Sequence, residues 1–341
     1  MSHIQKKLLL WKSLIIFAVI ANTTMGLDRN ANGLCDVWES RYSATDLNPE
    51  DDEDSDGFSN MQEAISGTNP FAASPYNSAT RGNAPGTFSN FLQVESSQNN
   101  GELIWWAVAG KFYTVQSSTD LNNWNNEATV LVETDLEYSY TISIDAENKF
   151  WRVQVADTDF DKDSLSAYDE LFFGTLDNAA DSDGDSIPDV FEVSYIESHS
   201  VDPNDPNSTP PVKYVVALDG SGDFTDLNSA IEAITADYQI IMMKAGVYTG
   251  EENTGVSLGE ADHNVLILGE QGPASTRIDG AGKYAKLSFA NASALVGVSV
   301  VDCVGDTSLD LTNSAQTANS LIRHYSSPAT WKNTVNITWN P

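Results

Sequence analysis

Oxygen-bearing side chains recur at fixed spacing in four short stretches of the chain. They occupy positions 1, 3, 5 and 12 of a twelve-residue loop, and also position 9 in three of the stretches. The four sets, numbered loops 1 to 4, are Asp28, Asn30, Asn32, Asp36 and Glu39; Asp52, Asp54, Asp56, Asn60 and Glu63; Asp159, Asp161, Asp163 and Glu170; and Asp181, Asp183, Asp185, Asp189 and Glu192. This spacing is typical of a loop that wraps a calcium ion.

Calcium is a hard cation that takes six to eight oxygen ligands at about 2.3–2.6 Å. Side chains at positions 1, 3 and 5 can surround one ion, and position 7 can offer its backbone carbonyl. A glutamate at position 12 can close the shell with two oxygens. We therefore expect Ca²⁺ as the cofactor. We predict no catalytic residue, because no nucleophile pattern accompanies the loops.

The turn at position 6 favours glycine, because a positive φ is readily adopted only there. Gly33 and Gly57 satisfy this preference, whereas Ser164 and Ser186 do not. Loop 3 also carries Ala167 at position 9, so we expect it to be the weakest of the four sites.

Apolar residues accompany the oxygen pattern at two constant positions. Those at position 7 are Leu34, Phe58, Leu165 and Ile187, and those at position 10 are Val37, Met61, Tyr168 and Val190. A spacing of three puts both positions on one face of a short helical turn, ready to pack on a neighbour. The alternative is a disordered acidic linker, but such a linker has no reason to keep this apolar phase four times.

The loops resemble thrombospondin type 3 repeats, whose pattern is D-x-D-x-D-G-x-x-D-x-x-E. The segment Gly67-Thr68-Asn69-Pro70 also resembles the residues that trail such repeats, and the resemblance covers residues 27–79 and 157–209. It implies calcium binding with a structural role. We divide the repeats into residues 27–79, with loops 1 and 2, and residues 157–211, with loops 3 and 4.

The net charge of −32 is concentrated in the repeat half of the chain. Residues 27–211 hold 35 acidic against 7 basic residues, a net −28. Such a surface excludes nucleic acid as the expected partner, since phosphate binding needs a basic face. Cys35 and Cys303 fall in different modules, and we expect both to be free thiols.

Residues 1–26 have the pattern of a secretory signal peptide. Lys6 and Lys7 precede an apolar run from Leu8 to Ile20, which is interrupted by Lys12 and Ser13. The alternative is a retained N-terminal anchor. We predict a secreted or cell-surface protein with no membrane span in its mature chain.

Residues 80–156 change character and read as a linker followed by six short strands. The predicted strands are Phe91–Glu95, Leu103–Val108, Phe112–Ser117, Thr129–Glu133, Tyr138–Ile144 and Phe150–Val155. This spacing favours a small antiparallel β-sandwich. The segments at 105–110, 113–124 and 150–153 resemble fibronectin-type-III-like modules of secreted bacterial polysaccharide-degrading proteins. Trp124 is either a core residue or a platform for a sugar ring.

Residues 212–318 predict a strand, a helix over Thr225–Thr235, and further short strands separated by glycine-rich turns with no intervening helix. This recurrence is typical of a parallel β-helix. The segments at 215–224, 230–234, 240–248, 265–269 and 276–280 resemble the first coils of the pectin-lyase-like β-helix, most closely of pectinesterases. Residues 319–341 read as an irregular tail. The predicted fold class is therefore mainly β and multidomain, with calcium-loop repeats, an antiparallel β-sandwich and a truncated right-handed parallel β-helix.

Two functions from different classes fit these observations. The first is a secreted or surface calcium-binding modular protein that binds acidic polysaccharide or a cell-surface glycan, with calcium as a structural stabiliser. The second is a carbohydrate-active enzyme, a pectinesterase or a pectate-lyase-like protein. The catalytic motifs of that family are absent here, and the late carboxylates Asp302, Asp306 and Asp310 read as solvated turn residues. We favour the first function.

Overall fold

The computed structural model describes residues 26–73, 93–96, 100–143, 150–256, 263–283, 287–290, 293–303, 309–312 and 321–322. The predicted signal peptide before Gly26, the predicted linker at 80–86 and most of the predicted tail lie outside these residues. The chain divides into two compact units. Residues up to Thr158 together with Ser166–Phe172 form the first unit, and Asp159–Leu165 with the residues from Phe173 onward form the second.

Strand is the predominant regular structure of the described residues, which confirms the mainly β class. The helices are α1 (Asp36–Tyr42), α2 (Asn60–Ser66), α3 (Ala167–Phe173), α4 (Asp189–Val193), α5 (Ile196–His199), α6 (Leu227–Glu232) and α7 (Glu251–Thr254). The strands of the first unit are β1 (Gln93–Ser96), β2 (Asn100–Ala107), β3 (Phe112–Ser118), β4 (Asn125–Leu131), β5 (Leu136–Ser143) and β6 (Phe150–Ala156).

The strands of the second unit are β7 (Val212–Val216), β8 (Gln239–Met243), β9 (Gly246–Tyr248), β10 (Val265–Gly269), β11 (Thr276–Lys283), β12 (Leu287–Ala290), β13 (Ala294–Val296), β14 (Ser299–Cys303), β15 (Leu309–Thr312) and β16 (Leu321–Ile322). None of the helices in the described part of the chain is both long and apolar enough to cross a membrane.

The first unit contains two three-stranded antiparallel sheets with one shared core. The sheet orders are β1-β2-β5 and β4-β3-β6. Strand β6 alternates between buried and half-buried residues, so that Trp151, Val153 and Val155 face inward, as its period-two pattern requires. These side chains pack with Leu103 and Trp105 of β2. The six strands predicted for this segment are therefore present, with boundaries shifted by a few residues.

The repeat helices of the first unit pack on each other and on the sandwich. Trp38 of α1 is fully buried, and its indole Nε1 donates to the carbonyl oxygen of Thr68 at 2.6 Å. The hydroxyl of Tyr42 donates to the carbonyl oxygen of Gly67 at 2.8 Å. Ile65 of α2 belongs to the sandwich core. Loops 1 and 2 are thus continuous with the sandwich rather than separate from it.

A buried ion pair joins these elements. Lys111, just before β3, and Asp157, just after β6, are 2.6 Å apart between Nζ and Oδ1, and their side chains are almost fully buried. The same Nζ donates to the carbonyl oxygen of Ala64 in α2 at 3.2 Å, and it lies 4.1 Å from the ring centroid of Tyr168 in α3. The ammonium group therefore ties two repeat helices to both of its neighbouring strands.

Parallel strands build the second unit. One sheet has the order β13-β10-β8-β7, a second has β16-β14-β11-β9, and β12 pairs with β15 in a third. All of these pairings are parallel. From β10 to β15 the chain visits the three sheets in the same cyclic order twice.

The predicted helix over Thr225–Thr235 is present as the shorter α6. The Oδ1 atom of Asp226 caps it by accepting from the backbone N–H of Ser229 at 2.8 Å. Leu227 and Ala230 are buried with Ile241 and Ile267 in the core of this unit. The expectation of no helix between the later strands was wrong, because the short helix α7 follows β9. Within α7, the hydroxyl of Thr254 donates to the carbonyl oxygen of Gly250 and so supports the turn.

Replacing Lys111 by alanine is expected to lower the free energy of unfolding by about 3–5 kcal/mol, because Asp157 would stay buried without its cation. Urea unfolding followed by far-UV circular dichroism measures the loss. The double variant Lys111→Met/Asp157→Asn should recover part of it, since no charge is then stranded. The exposed Lys213→Ala variant serves as the control. Equal stability of Lys111→Ala and Lys213→Ala would contradict the role given to the pair.

Candidate metal centres

Each of the four loops is closed by the same backbone hydrogen bond. The N–H of position 9 donates to the carbonyl oxygen of the residue before position 1. The four bonds are Asp36 to Leu27 at 2.7 Å, Asn60 to Asp51 at 2.8 Å, Ala167 to Thr158 at 2.8 Å and Asp189 to Ala180 at 3.0 Å. Since position 9 lies at or next to the start of a helix, this bond fixes where the helix begins relative to the loop.

The side chains of positions 1, 3 and 5 are held by bonds from the backbone of their own loop. In loop 4, Asp181 accepts from the N–H groups of Gly184 and Ser186, both at 2.8 Å. Asp183 accepts from the N–H of Asp185 at 3.0 Å, and Asp185 accepts from that of Ile187 at 2.7 Å. Loop 2 repeats the pattern with Asp52, Asp54 and Asp56. At positions 3 and 5, one carboxylate oxygen thus bonds the backbone. The Oδ2 atoms of Asp54 and Asp183 at position 3 are buried without a hydrogen-bond partner among the described residues.

The backbone is left-handed at two positions of every loop. Position 4 has a positive φ at Ala31 (54°), Ser55 (61°), Lys162 (67°) and Gly184 (80°), and position 6 at Gly33 (87°), Gly57 (97°), Ser164 (83°) and Ser186 (82°). The two serines therefore adopt the turn that their residue type disfavours. The sequence does not predict the left-handed turn at position 4, because Gly184 is the only glycine there among the four loops.

Three of the loops gather carboxylates closely enough to share a metal ion. The clusters are Asp52, Asp54 and Asp56; Asp159, Asp161 and Asp163; and Asp181, Asp183 and Asp185. In each cluster, one ligand oxygen from every residue lies within 4.8 Å of the others. Loop 1 differs, because Asn30 and Asn32 donate their amide N–H groups to Glu39 at 3.2 and 2.8 Å. Its position-12 carboxylate is thereby drawn to positions 3 and 5.

The position-12 glutamates are all buried: Glu39, Glu63, Glu170 and Glu192. Glu192, on α4, has no exposed surface, and neither of its carboxylate oxygens has a hydrogen-bond partner among the described residues. Glu63, on α2, is 1% exposed, and its Oε2 atom also has no hydrogen-bond partner among the described residues. A buried carboxylate without a donor carries a large desolvation cost. A cation bound to these oxygens would offset that cost.

Electrostatics point the same way. Burial, reinforced by repulsion from Asp185 and Asp183, raises the pKa of Glu192 to about 9. Burial and the nearby Asp54 raise the pKa of Glu63 to about 8. In loop 3, burial and repulsion from Asp159 raise the pKa of Asp161 to about 7. Close neighbours of like charge out of water resist ionisation, and a bound cation reverses that effect.

The aspartates at position 9 bond residues of their own loop, whereas the Oδ1 atom of Asn60 is buried without a hydrogen-bond partner among the described residues. Asp36 accepts from the backbone N–H of Arg29 at 3.3 Å and also pairs with the Arg29 side chain. Asp189 accepts from the N–H and the hydroxyl of Ser182 at 2.9 and 2.6 Å. Asn60 donates to the carbonyl oxygen of Asn48 at 2.8 Å.

Comparison with models of known protein families and with curated protein sequences finds no match.

The described site residues offer only oxygen ligands. In loops 2 to 4 the carboxylates of positions 1, 3 and 5 lie close together, and they suit a hard divalent ion rather than a metal that prefers nitrogen or sulfur. Buried aspartate clusters of this kind can hold a metal ion.

Ser186→Gly is expected to raise the free energy of unfolding by about 1 kcal/mol, because glycine adopts a φ of 82° without steric cost. Gly57→Ser should lower it by a similar amount. Ser194→Gly is the matched control, since Ser194 has a φ of −67° and should lose stability on the same exchange. Urea unfolding measures all three, and a gain for Ser194→Gly equal to that of Ser186→Gly would contradict the backbone argument.

Proposed function

We propose that the chain is a secreted or surface modular protein whose loops bind calcium as a structural stabiliser. The observation that carries the proposal is Glu192. Its two buried oxygens lack hydrogen-bond partners in the described part of the chain, and the carboxylates whose repulsion it experiences most strongly are Asp185 and Asp183. A glutamate held at position 12 against a three-aspartate cluster supplies the two closing ligands that calcium takes.

Calcium is favoured over other divalent ions by ligand number and type. Three carboxylates, one carbonyl and a glutamate with two oxygens provide six ligands, which lies in the range of calcium. Magnesium demands near-ideal octahedral geometry and keeps several waters, so a site supplied wholly by protein suits it less. The proposed ion is therefore Ca²⁺ at each loop, with loop 3 the weakest because Ala167 lacks the polar side chain that position 9 uses for hydrogen bonds in the other loops.

The stabilisation follows from charge. Two carboxylates about 4 Å apart repel by about 4 kcal/mol at an effective dielectric constant near 20. Each cluster contains three such groups within 4.8 Å, so the metal-free loop opposes its own fold. A divalent ion replaces this repulsion by attraction. At free calcium ten times the dissociation constant, each filled site adds about 1.4 kcal/mol to the free energy of unfolding.

The resemblances extend the proposal to the flanking modules. We assign the repeats to the thrombospondin type 3 class, the sandwich to the fibronectin-type-III-like class, and the second unit to the start of a right-handed pectin-lyase-like β-helix. Supporting the last assignment, the strands from β10 to β15 visit three parallel sheets in one cyclic order, as stacked coils do. A secreted location and an acidic polysaccharide or cell-surface glycan as partner belong to the same proposal.

The enzymatic alternative gains no support from a specific observation. Asp302 lies in β14 and Asp310 in β15, strands of two different sheets, and Asp306 falls outside the described residues. A β-helix resemblance alone does not fix a chemistry. We therefore keep calcium-stabilised binding as the proposed function.

Calcium added to chelator-stripped protein should raise the melting temperature. Glu192→Gln should raise the melting temperature in EDTA and reduce the increase that calcium produces. In EDTA the variant should melt above the wild type, because glutamine folds into this buried position without the proton uptake that a carboxyl with a pKa of about 9 requires. In calcium its stabilisation should shrink, with site affinity weaker by on the order of tenfold.

Glu197→Gln is the matched control, since Glu197 lies on α5 and is exposed. It should follow the wild type in both conditions. Thermal melts by circular dichroism and calorimetric titration with calcium measure the two effects. Identical wild-type melts in EDTA and in calcium would refute the proposed role of the ion.

A further inference from the structure

A ladder of polar side chains crosses the sandwich sheet β4-β3-β6 on its outward face. Asn126, Gln116 and Arg152 are direct neighbours in register across the three strands. Gln116 donates to Oδ1 of Asn126 at 2.6 Å, and Nε of Arg152 donates to Oε1 of Gln116 at 2.5 Å. In β6, Val153 is buried in the core, so alternation directs Arg152 to the opposite face. In β3, a shift of register between Val115 and Gln116 lets Gln116 bond both of its neighbours.

The guanidinium at the end of this ladder is fixed in place but incompletely paired. Its central carbon lies 4.0 Å from the ring centroid of Trp124, which is half-buried. The indole is itself anchored, because its Nε1 donates to the carbonyl oxygen of Leu121 at 3.2 Å. The Nη1 and Nη2 atoms of Arg152 make no hydrogen bond or ion pair with any described residue.

Arg152 is an exception among the arginines of the described residues. Arg29 pairs with Asp36, Arg41 with Asp135, and Arg277 with Asp279. In a chain with a net charge of −32, acidic partners are abundant. An arginine that is oriented by an aromatic ring and an amide, and that pairs with no carboxylate of the described residues, presents its guanidinium fork to a carboxylate from outside.

We infer that this face of the sandwich binds a carboxylated polysaccharide, with Arg152 and Trp124 as its anchors. The Nη1 and Nη2 atoms of Arg152 receive a uronate carboxylate in a bidentate pair. The part of the indole not covered by the guanidinium offers apolar surface to the sugar ring. The Nδ2 group of the exposed Asn126, which has no partner among the described residues, is placed to bond a hydroxyl.

A saccharide suits this surface better than an acidic peptide does. The exposed amide of Asn126 and the half-buried ring of Trp124 flank the guanidinium, and they match the hydroxyl and ring surfaces of a sugar. Gln116 is buried, so it holds Arg152 and Asn126 in place without contacting a ligand. The inference rests on the polysaccharide-binding part of the proposed function and is independent of its calcium part.

Calorimetric titration of the full chain in excess calcium tests the site. The probes are short oligogalacturonates, short alginate oligosaccharides, neutral galacto-oligosaccharides of equal length and a glutamate oligopeptide. We expect binding to at least one of the two uronate probes and much weaker binding to the neutral sugar and the peptide. Arg152→Gln should reduce affinity by about tenfold or more, as loss of a charge-assisted pair does.

Three further variants separate the contributions. Arg152→Lys keeps the charge but loses the fork, so it should bind between the wild type and Arg152→Gln. Trp124→Ala should also weaken binding. Lys213→Gln removes the same charge from a cation 5.4 Å from the Tyr214 ring in the second unit, and it should bind as the wild type does. Circular dichroism melts confirm that each variant is folded.

Several outcomes would overturn the inference: no binding of either uronate, equal binding of the neutral sugar or the peptide, or equal effects of Arg152→Gln and Lys213→Gln. Its failure is distinct from that of the calcium proposal. Loss of uronate binding with an intact calcium-dependent melt rejects this site alone, and uronate binding with calcium-independent melts rejects only the role of the ion.

Discussion

The folding of the repeat segments is constrained by carboxylates that are held close together and away from water. The loop backbone fixes one oxygen of an aspartate through an N–H bond, and the carboxylates of positions 1, 3 and 5 gather around a common centre. The next helix then brings a buried glutamate to the same region. Folding the loop therefore concentrates negative charge, which is unfavourable by itself. A cation at the centre would offset this repulsion, and this is the physical reason for proposing that the loops bind one.

The same short helices carry both the loop glutamates and buried apolar side chains. In α4, Glu192 faces the cluster of loop 4, while Val190 and Phe191 are buried. In α2, Glu63 faces loop 2, and Ile65 packs into the sandwich core. A helix of five to seven residues cannot stay folded alone. Its stability therefore depends on the packing of its apolar side chains and on compensation of the glutamate charge. A substitution that weakens one of these should also weaken the other.

Features that depend on spacing were accessible from the sequence. The grouping of the aspartates at positions 1, 3 and 5 of loops 2 to 4, the six sandwich strands and a helix within Thr225–Thr235 follow from local periodicity, and the structure contains each of them. Features that depend on distant contacts were not accessible. Nothing local marks Lys111 as a buried cation, because its partner Asp157 is 46 residues away. The positive φ at Ala31 and Lys162 also cannot be predicted from these residue types, since the loop as a whole imposes it on residues that do not favour it.

An acidic protein that binds an acidic polysaccharide must overcome long-range repulsion, and the two proposed kinds of site resolve this together. Loops 1 and 2 lie in the same unit as the sandwich, and filling them with divalent ions would remove part of the charge that opposes an anionic ligand. Beyond about 8 Å, salt screens most of what remains. Close to the sheet, the ladder of Asn126 and Gln116 is neutral, and Arg152 supplies the one positive group at its end. Recognition can then be local and attractive even though the net charge of the chain is strongly negative.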